Sequence, residues 1–524
     1  MFLHERSRSR SPCRPCKGGA AVGTEQVASA TAENSQTVLS GGVISPAGLS
    51  GDAIAPNRDD GTGSGWISDL MRSMGTAKAL TQIKPLVVSS MHTGMNTHHA
   101  CLLSLGISCL DTVGAEIKDH ARAFVKRNNI CPATLHRDSA DMLREAVGIG
   151  EPGYRRADIF ADGFPCQPFS SMNRKKHNPE SHPLYREFKK VVDYMNKTEP
   201  ITAVLENVVG FVRPFSAGAG QTEEDLGDDN DNDEDDDNDK SDGVEVDAAV
   251  SGWDLLKVAI GDKYHLQSRI LDMKHWVDIR RPRVFIWCLH KEFGSEADLS
   301  RVLSSVDAAV SKRASSQPES LEQYTYSVHS TEWSSKVALE LTTRGARHTA
   351  RSQQKKAYQK HTEQVRDFLR ERQTPWAEAQ PLARARLLGL VGTDRQREVL
   401  NCVLLAHCYH TKLDPRDELQ LAQAKVGLRW DISQNFPRAK IRQMKTKTLG
   451  CACTSALIYS FEHDRLFRAE ELLRVFGWQT ANCDGISESH LMDLIGESQA
   501  MQPLAVALWS LILNVGGQVG WVRN

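Results

Sequence analysis

The sequence predicts an α/β protein in which helices cover both faces of a parallel sheet. Between residues 85 and 290, short apolar runs alternate with amphipathic segments, and turn residues separate them. This alternation favours a parallel sheet, because neighbouring parallel strands are usually joined by a helical crossover. Hydrophobic residues make up 40% of the 524 residues and charged residues 25%, so the chain can bury a sizeable core.

Each predicted element corresponds to one run of the sequence. The predicted strands are 86–88, 107–115, 157–161, 201–205, 265–273 and 283–289. The predicted helices are 100–105, 119–127, 184–195, 298–311 and 357–372, with a further helical segment over 470–515. Within 298–311, apolar residues recur at the spacing of one buried helix face. These residues are Leu299, Val302, Leu303 and Val306.

The charges are unevenly distributed along the chain. The run 223–247 holds 15 of the 66 acidic residues and one of the 64 basic residues. Because so many carboxylates repel one another, we predict that the surrounding segment 216–249 is disordered. The rest of the chain is basic, which favours a polyanionic partner such as nucleic acid.

The N-terminal segment 1–82 is rich in Ser, Gly, Ala and Arg and has no helical or strand period, so it is predicted to be a disordered basic tail. Its Arg-Ser repeat suggests a nuclear location; an RNA contact and a transit peptide stay open as alternatives. The strongly apolar stretch 503–515 is shorter than the ~18–20 residues of a membrane span. A soluble protein without a membrane partner is therefore expected.

The twelve cysteines are irregularly spaced, which indicates a reducing compartment rather than a disulfide framework. Cys13 and Cys16 form one Cys-x-x-Cys pair, with no second pair nearby. Cys451 and Cys453 are too close together, and too far from other ligands, to form a zinc site. No metal is predicted.

The strongest local signal is the motif Phe-Pro-Cys-Gln at 164–167, which follows a predicted strand. A cysteine there lies at the carboxyl edge of an α/β sheet, where ligands bind. A single cysteine is more often a small buried apolar residue. However, Glu206 and Asn207 end another predicted strand, so a carboxylate is expected at the same edge as Cys166.

This pair of motifs, Phe-Pro-Cys-Gln followed by Glu-Asn-Val, resembles the cytosine-5 DNA methyltransferases. Further motifs extend the resemblance, in order, over 85–290 and 465–515. It implies a Rossmann-like domain that binds S-adenosyl-L-methionine (AdoMet) on a mixed, mostly parallel sheet, plus a smaller target-recognition domain. The implied divisions are a catalytic domain, an acidic insert, a recognition domain and a C-terminal segment that returns to the catalytic domain. The catalytic domain spans 83–215 and 250–292, and the acidic insert lies between these two parts at 216–249. The recognition domain spans 293–464 and the C-terminal segment 465–524.

The resemblance also assigns residues to the cofactor. Glu116 would bind the ribose hydroxyls, Asp138 the adenine amine, and Leu184 would form an apolar wall. The full implied set is His92, Gly94, Met95, Glu116, Ile117, Asp138, Ser139, Leu184 and Glu497. His92 replaces an aromatic residue of the family, Glu497 an asparagine, and Asn96 and Thr97 two glycines.

For catalysis, the resemblance implies that the Cys166 thiolate adds to C6 of cytosine while Glu206 hydrogen-bonds or protonates N3. Arg281 and Arg283 fall on the family's two arginines, with Ile279 in place of its glutamine. Arg283 would hold the O2 edge of the base, and either arginine would favour the thiolate by its charge.

The predicted function is methylation of C5 of cytosine in duplex DNA, with the target base flipped out of the helix. An RNA enzyme acting on transfer RNA and a catalytically inactive nucleic-acid-binding relative stay open as alternatives. Within the predicted recognition domain, the stretch 432–461 has five basic residues and no acidic one, so it is either a phosphate-contacting surface or a solvated one. The five are Arg438, Lys440, Arg442, Lys445 and Lys447.

Overall fold

A computed structural model describes residues 83–170, 179–215, 250–316, 318–325, 357–382, 394–454 and 456–522. The predicted N-terminal tail, the predicted acidic insert and the pair Cys13 and Cys16 lie outside the described residues. Among those described, no helix is long and apolar enough to cross a membrane.

The first architectural feature is a sheet of seven strands in the order β3-β2-β1-β4-β5-β7-β6. The strands are β1 (Leu86–Ser90), β2 (Cys109–Ala115), β3 (Thr134–His136), β4 (Ile159–Asp162), β5 (Thr202–Val208), β6 (Tyr264–Asp272) and β7 (Pro282–His290). The first five run parallel, whereas β7 is antiparallel to both β5 and β6. The predicted mixed, mostly parallel sheet is confirmed.

The centre of the sheet is buried on both faces. All residues of β1 and β4 are buried, because helices cover the sheet on either side. Strand order reverses between β1 and β4, the place where doubly wound sheets bind ligands beyond their carboxyl ends. The sequence does not predict β3, because three residues are too few to display a strand period.

The helices of this layer are α1 (Thr97–Ser104), α2 (Asp119–Arg127), α3 (Ser139–Glu145), α4 (Tyr185–Thr198), α5 (Gly252–Ile260) and α6 (Glu296–Ala314). The predicted apolar face of α6 is fully or nearly fully buried, and it belongs to the same core cluster as β6 and β7. The packing therefore places α6 with the seven-stranded sheet, whereas the domain boundary at 293 stays a prediction.

A second hydrophobic cluster draws its fully buried members from 365–466. It contains helices α7 (Ala357–Glu371), α8 (Asp394–Thr411) and α9 (Glu418–Lys425), with a small antiparallel sheet of β8 (Arg429–Asp431), β9 (Ile458–Ser460) and β10 (Arg465–Leu466). This cluster coincides with much of the predicted target-recognition domain, whose role stays a prediction.

The C-terminal segment returns to the first core, as three helices rather than one continuous run. They are α10 (Ala469–Val475), α11 (Glu488–Glu497) and α12 (Met501–Val515). Most of α12 is buried, and it packs against α1 and α6. Beyond it, Trp521 donates its indole N–H to the buried Asp158 carboxylate at 2.8 Å, and its carbonyl accepts from Lys84 N at 2.8 Å.

Candidate active site

Three of the predicted catalytic residues converge on the carboxyl edge of the sheet. Cys166 follows β4 and precedes a short 3-10 helix, Gln167–Phe169. Glu206 lies in β5, which pairs with β7, and this pairing brings Arg283 opposite Val208. As a result, Arg283 Nε lies 3.1 Å from Glu206 Oε1. An acid, a guanidinium and a thiol thus share one corner of the sheet.

The Glu206 carboxyl is buried against a close-fitting wall. Burial raises its pKa, although Arg283 opposes the shift by its charge. Gln499 donates a further hydrogen bond to Glu206. A Cβ on Gly163 would lie 2.9 Å from the Gln499 amide nitrogen and 3.2 Å from Glu206 Oε2, so a side chain there would displace these two groups. A raised pKa suits a group that must act as an acid.

The Cys166 thiol differs from the prediction in its electrostatics. Burial raises its pKa, and Glu206 adds to the shift, whereas Arg283 and Arg281 lower it. As predicted, the arginines act to lower the pKa of Cys166, but the larger effect of burial raises it overall. Cys166 therefore rests as a thiol and must lose its proton before it can act as a nucleophile.

Arg281 makes the contacts of a brace between two loops. Its guanidinium donates to the carbonyls of Ala452 at 3.0 Å, Gly496 at 3.0 Å and Ser498 at 2.8 Å. Only 3% of Arg281 is exposed. The assignment of a catalytic role to Arg281 stays a prediction, and its hydrogen bonds are those of a structural residue.

Glu116, the residue predicted to bind the ribose hydroxyls, lies beside the loop that follows β1. Glu116 accepts a hydrogen bond from Gly94 N at 2.8 Å and another from Lys118 N at 2.7 Å. Gly94 has a φ of 52°, and no described atom lies within 4 Å of the position that a Cβ would take. Ile117, next to the acid, is 68% exposed, which suits an apolar contact with a planar ring. Together these residues leave a polar notch beside an apolar surface.

Two residues of this loop contribute to the core rather than to the notch. Met95 is 2% exposed and belongs to the main hydrophobic cluster, so its predicted place in the cofactor site is not supported by its packing. Asn96 stands where the family has a glycine and retains the left-handed conformation, with a φ of 55°. Its amide donates to Asp111 and to the Ile130 carbonyl, both at 2.5 Å, and these bonds hold the conformation.

His92 belongs to a buried ionic network. Its Nδ1 lies 2.9 Å from Asp162 Oδ2, and its Nε2 lies 3.5 Å from Glu187 Oε2. Burial alone would lower the pKa of His92, but the charge and hydrogen bond of Asp162, with those of Glu187, raise it to about 9. His92 is therefore a cation at neutral pH, where the family has a neutral aromatic ring.

Glu187 extends this network toward the end of β3. It accepts from Ser139 Oγ at 2.6 Å and from Lys190 at 3.2 Å, and Lys190 also lies 3.4 Å from Asp138. The hydrogen bond from His92 holds the pKa of Glu187 well below its usual value. The sequence does not single out Glu187 or Lys190, because three-residue spacing on a helix ordinarily marks a surface ion pair.

Stability should depend on pH through His92. Because its folded pKa of about 9 exceeds the unfolded value of 6.5, its contribution is complete below 6.5 and is lost as pH rises through 9. We expect the difference in unfolding free energy between the unmodified protein and His92→Gln to shrink by about 3 kcal/mol between pH 6 and 10. Denaturant unfolding of both proteins measures it, and a constant difference would contradict a charged His92.

The remaining predicted cofactor residues are Asp138, Leu184 and Glu497, and their shared role stays a prediction. Asp138 caps α3 by accepting from Ala140 N at 2.7 Å, and Leu184 is half-buried ahead of α4. Burial raises the pKa of Glu497, whose carboxylate lies 2.5 Å from Lys118 Nζ. Lys118 thus compensates the charge that Glu497 adds.

Of the five basic residues predicted to form a phosphate-contacting surface, three make hydrogen bonds or ion pairs within the protein. Arg438 pairs with a glutamate of α7 at 2.7 Å, Lys440 donates to a glutamine side chain, and Lys447 donates to a backbone carbonyl. Arg442 and Lys445 are exposed. In the described parts of the chain, no cluster of three or more His, Cys, Asp or Glu side chains is arranged to hold a metal ion.

Comparison with solved structures returns several methyltransferases. The chain is similar to the Entamoeba histolytica methyltransferase EhMeth, with 12% identity and a TM-score of 0.39 over 82% of this chain and 98% of that one. It is similar to a DNMT2 mutant of Spodoptera frugiperda, with 12% identity and a TM-score of 0.39 over 82% and 99%. A putative prophage-encoded DNA modification methyltransferase of E. coli aligns with 13% identity and a TM-score of 0.25 over 40% and 47%.

No curated protein matches the chain. Among protein-family models, that of the C-5 cytosine-specific DNA methylases matches residues 91–219. This segment carries the loop after β1, Cys166 and Glu206, so the match covers the residues on which the resemblance depends. Over residues 91–219 the chain is therefore similar to the C-5 cytosine-specific DNA methylases.

Proposed function

We propose that the chain is an AdoMet-dependent methyltransferase that modifies C5 of cytosine in DNA through a covalent adduct with Cys166. The observation that carries this proposal is the junction of Cys166, Glu206 and Arg283 at one sheet edge, with Arg283 Nε 3.1 Å from the Glu206 carboxylate. A buried acid, a cation and a thiol are the groups that addition to a pyrimidine ring requires. This complete set argues against an inactive relative.

The notch beside Gly94 fits the proposed cofactor. Glu116 has two oxygens, each with a lone pair left after one backbone hydrogen bond, so both can accept from ribose hydroxyls. Exposed Ile117 offers an apolar surface to adenine. The space around Gly94 would be narrowed by any side chain there. When bound, AdoMet supplies the electrophilic methyl group.

The protein residues then divide the work on the base. Cys166, once deprotonated, bonds to C6, and protonated Glu206 hydrogen-bonds N3 and withdraws electron density from the ring. Arg283 holds O2. C5 thereby becomes nucleophilic enough to take the methyl group, after which the C5 proton leaves and Cys166 is expelled. The raised pKa of Glu206 keeps more of the acid form available near neutral pH.

Transfer of tritium from labelled AdoMet tests the proposal, with duplex DNA, single-stranded DNA and transfer RNA assayed in parallel. Label on C5 of cytosine in duplex DNA is the expected result. Label on transfer RNA alone would move the substrate to the RNA alternative. An absence of transfer to all three, with the protein folded, would favour the inactive relative.

The cofactor assignment can be tested at Glu116. Because Glu116→Ala removes a charged acceptor for the ribose, we expect AdoMet binding to weaken by about 1–3 kcal/mol. Isothermal titration calorimetry measures the change, and Glu145→Ala on an exposed face of α3 is the matched control. Equal affinities in the two variants would remove Glu116 from the cofactor site.

The nucleic-acid surface can be tested at Arg442 and Lys445. Each phosphate contact contributes ~0.9 to the slope of log affinity against log salt on duplex DNA, so the double alanine variant should flatten that slope by up to ~1.8. Fluorescence anisotropy over a salt series measures it. Lys312→Ala, on the exposed side of α6, should leave the slope unchanged. An unchanged slope in the double variant would move the phosphate contacts elsewhere.

A further inference from the structure

A second cysteine lies in the candidate catalytic pocket, and the proposed reaction does not use it. The sulfur of Cys451 accepts from Arg281 Nη1 at 3.4 Å and from Arg283 Nη2 at 3.7 Å. Two guanidinium groups therefore converge on one sulfur atom. This arrangement favours a thiolate, because a charged acceptor binds a cationic donor more strongly than a neutral one does.

The charge balance of the pocket points the same way. Arg283 lies beside Glu206, whose raised pKa favours the neutral acid, and the oxygen acceptors around Arg281 are neutral carbonyls. A buried cation is costly unless an anion lies close to it. When it ionises, the sulfur of Cys451 is in a position to provide a negative charge to both guanidinium groups.

The two cysteines of the pocket titrate in opposite directions. Burial opposes ionisation of both, but the nearby Arg281 and Arg283 lower the pKa of Cys451 below its ordinary value, while the pKa of Cys166 is raised. The groups that face this corner are Arg283 from β7 and Arg281 just before it, Glu206 from β5, Cys166 after β4, and the thiol of Cys453 on the same segment as Cys451. Of the two thiols, Cys451 is thus the one that ionises more readily.

The backbone holds the Cys451 sulfur in place from both sides. Leu449 exchanges hydrogen bonds of 2.8 and 3.0 Å with the backbone of 278–280, directly before β7. On the other side, a Cβ on Gly496 would lie 2.2 Å from Thr454 N, so the segment 449–454 packs tightly on the end of α11. The sulfur therefore has a defined position relative to Arg283.

We propose that Cys451 is a positioning residue: its sulfur orients Arg283 toward Glu206 and connects the segment 449–454 with the groups that bind the target base. The inference rests on the proposed function, because Arg283 and Glu206 matter only if a base is bound there. Cys451 itself is assigned no bond to the substrate.

Alkylation by iodoacetamide tests this without any methyl transfer. In the unmodified protein, peptide mapping by mass spectrometry over pH 6–10 should show Cys451 reacting at lower pH than Cys166 and Cys453. The denatured protein, in which the three thiols should react alike, is the control. Equal profiles for Cys451 and Cys453 in the folded protein would overturn the proposal.

Variants test the link to the pocket. Cys451→Ser removes an anion beside Arg283, so the more positive pocket should shift the alkylation profile of Cys166 to lower pH by about 0.5–1 unit. Cys451→Asp restores the charge and should restore the profile. Cys453→Ser is the matched control, because the described hydrogen bonds from Arg281 and Arg283 to sulfur go to Cys451, while the Cys453 sulfur contacts the Cys451 carbonyl. An unmoved Cys166 profile in folded Cys451→Ser would also overturn the proposal.

The two proposals can fail separately. If the Cys166 profile shifts as expected but no nucleic acid is methylated, the proposed reaction fails, whereas the electrostatic link between Cys451 and Cys166 stands. If transfer occurs and its pH profile is the same in Cys451→Ser, Cys451→Asp and the unmodified protein, the reaction stands and the positioning role fails.

Discussion

Cys166→Ala is expected to abolish methyl transfer, with a loss of at least ~10³-fold, because no other group in the proposed mechanism forms the bond to C6. A duplex with 5-fluorocytosine at the target should form a denaturation-resistant adduct with the unmodified protein when AdoMet is present. The C5 fluorine cannot leave as a proton does, so the Cys166 bond persists. The alanine variant should form no adduct on a denaturing gel.

A control separates this effect from a general loss of thiols. Cys483→Ala changes another partly exposed cysteine and should leave both adduct and transfer unchanged. An adduct of full yield in Cys166→Ala would assign the nucleophile to another residue. Peptide mapping of the trapped adduct then identifies that residue directly.

The second large effect is expected at Glu206. Glu206→Gln retains the size of the side chain but cannot give a proton to N3, so kcat/KM should fall by ~10²–10⁴-fold. Because the pKa of Glu206 is raised and the acid form is the active one, kcat/KM of the unmodified protein should decline as pH rises through that pKa.

The pH profile of the variant provides the decisive comparison. Glutamine does not titrate, so the decline that belongs to Glu206 should be absent from Glu206→Gln, leaving only the dependence set by Cys166. Steady-state tritium transfer at a series of pH values measures both profiles. Profiles of the same shape, differing only in height, would contradict a protonated Glu206 as the acid.

The sequence predicts the sheet well and the electrostatics of the site poorly. A run such as 284–289 is recognisable because a strand that is buried on both faces is apolar along most of its length. The motifs around Cys166 and Glu206 also indicate the carboxyl edge of the sheet correctly, because the carboxyl ends of neighbouring parallel strands lie at the same edge. Neither argument depends on what packs around those residues.

Burial and distant partners could not be derived in the same way. The net effect on the pKa of Cys166 depends on how deeply the thiol lies, and this depth is set by the whole pocket. Cys451 is separated from Arg283 by 168 positions, so nothing local in the sequence joins them. The hydrogen bond from Gln499 to Glu206 could not be predicted either, because a glutamine just before an apolar helix is an ordinary residue at a helix N-terminus.

The return of the C-terminal segment has a consequence for how the protein is made. The guanidinium of Arg281 donates hydrogen bonds to the carbonyls of residues 496 and 498, and Gln499 donates one to Glu206. Trp521 donates a hydrogen bond to the carboxylate of Asp158, which lies much earlier in the chain. During synthesis, the thiol and the acid leave the ribosome long before these partners do. A nascent chain therefore carries Cys166 and Glu206 before the contacts that organise their surroundings exist, and those contacts are complete only after residue 521 has been synthesised.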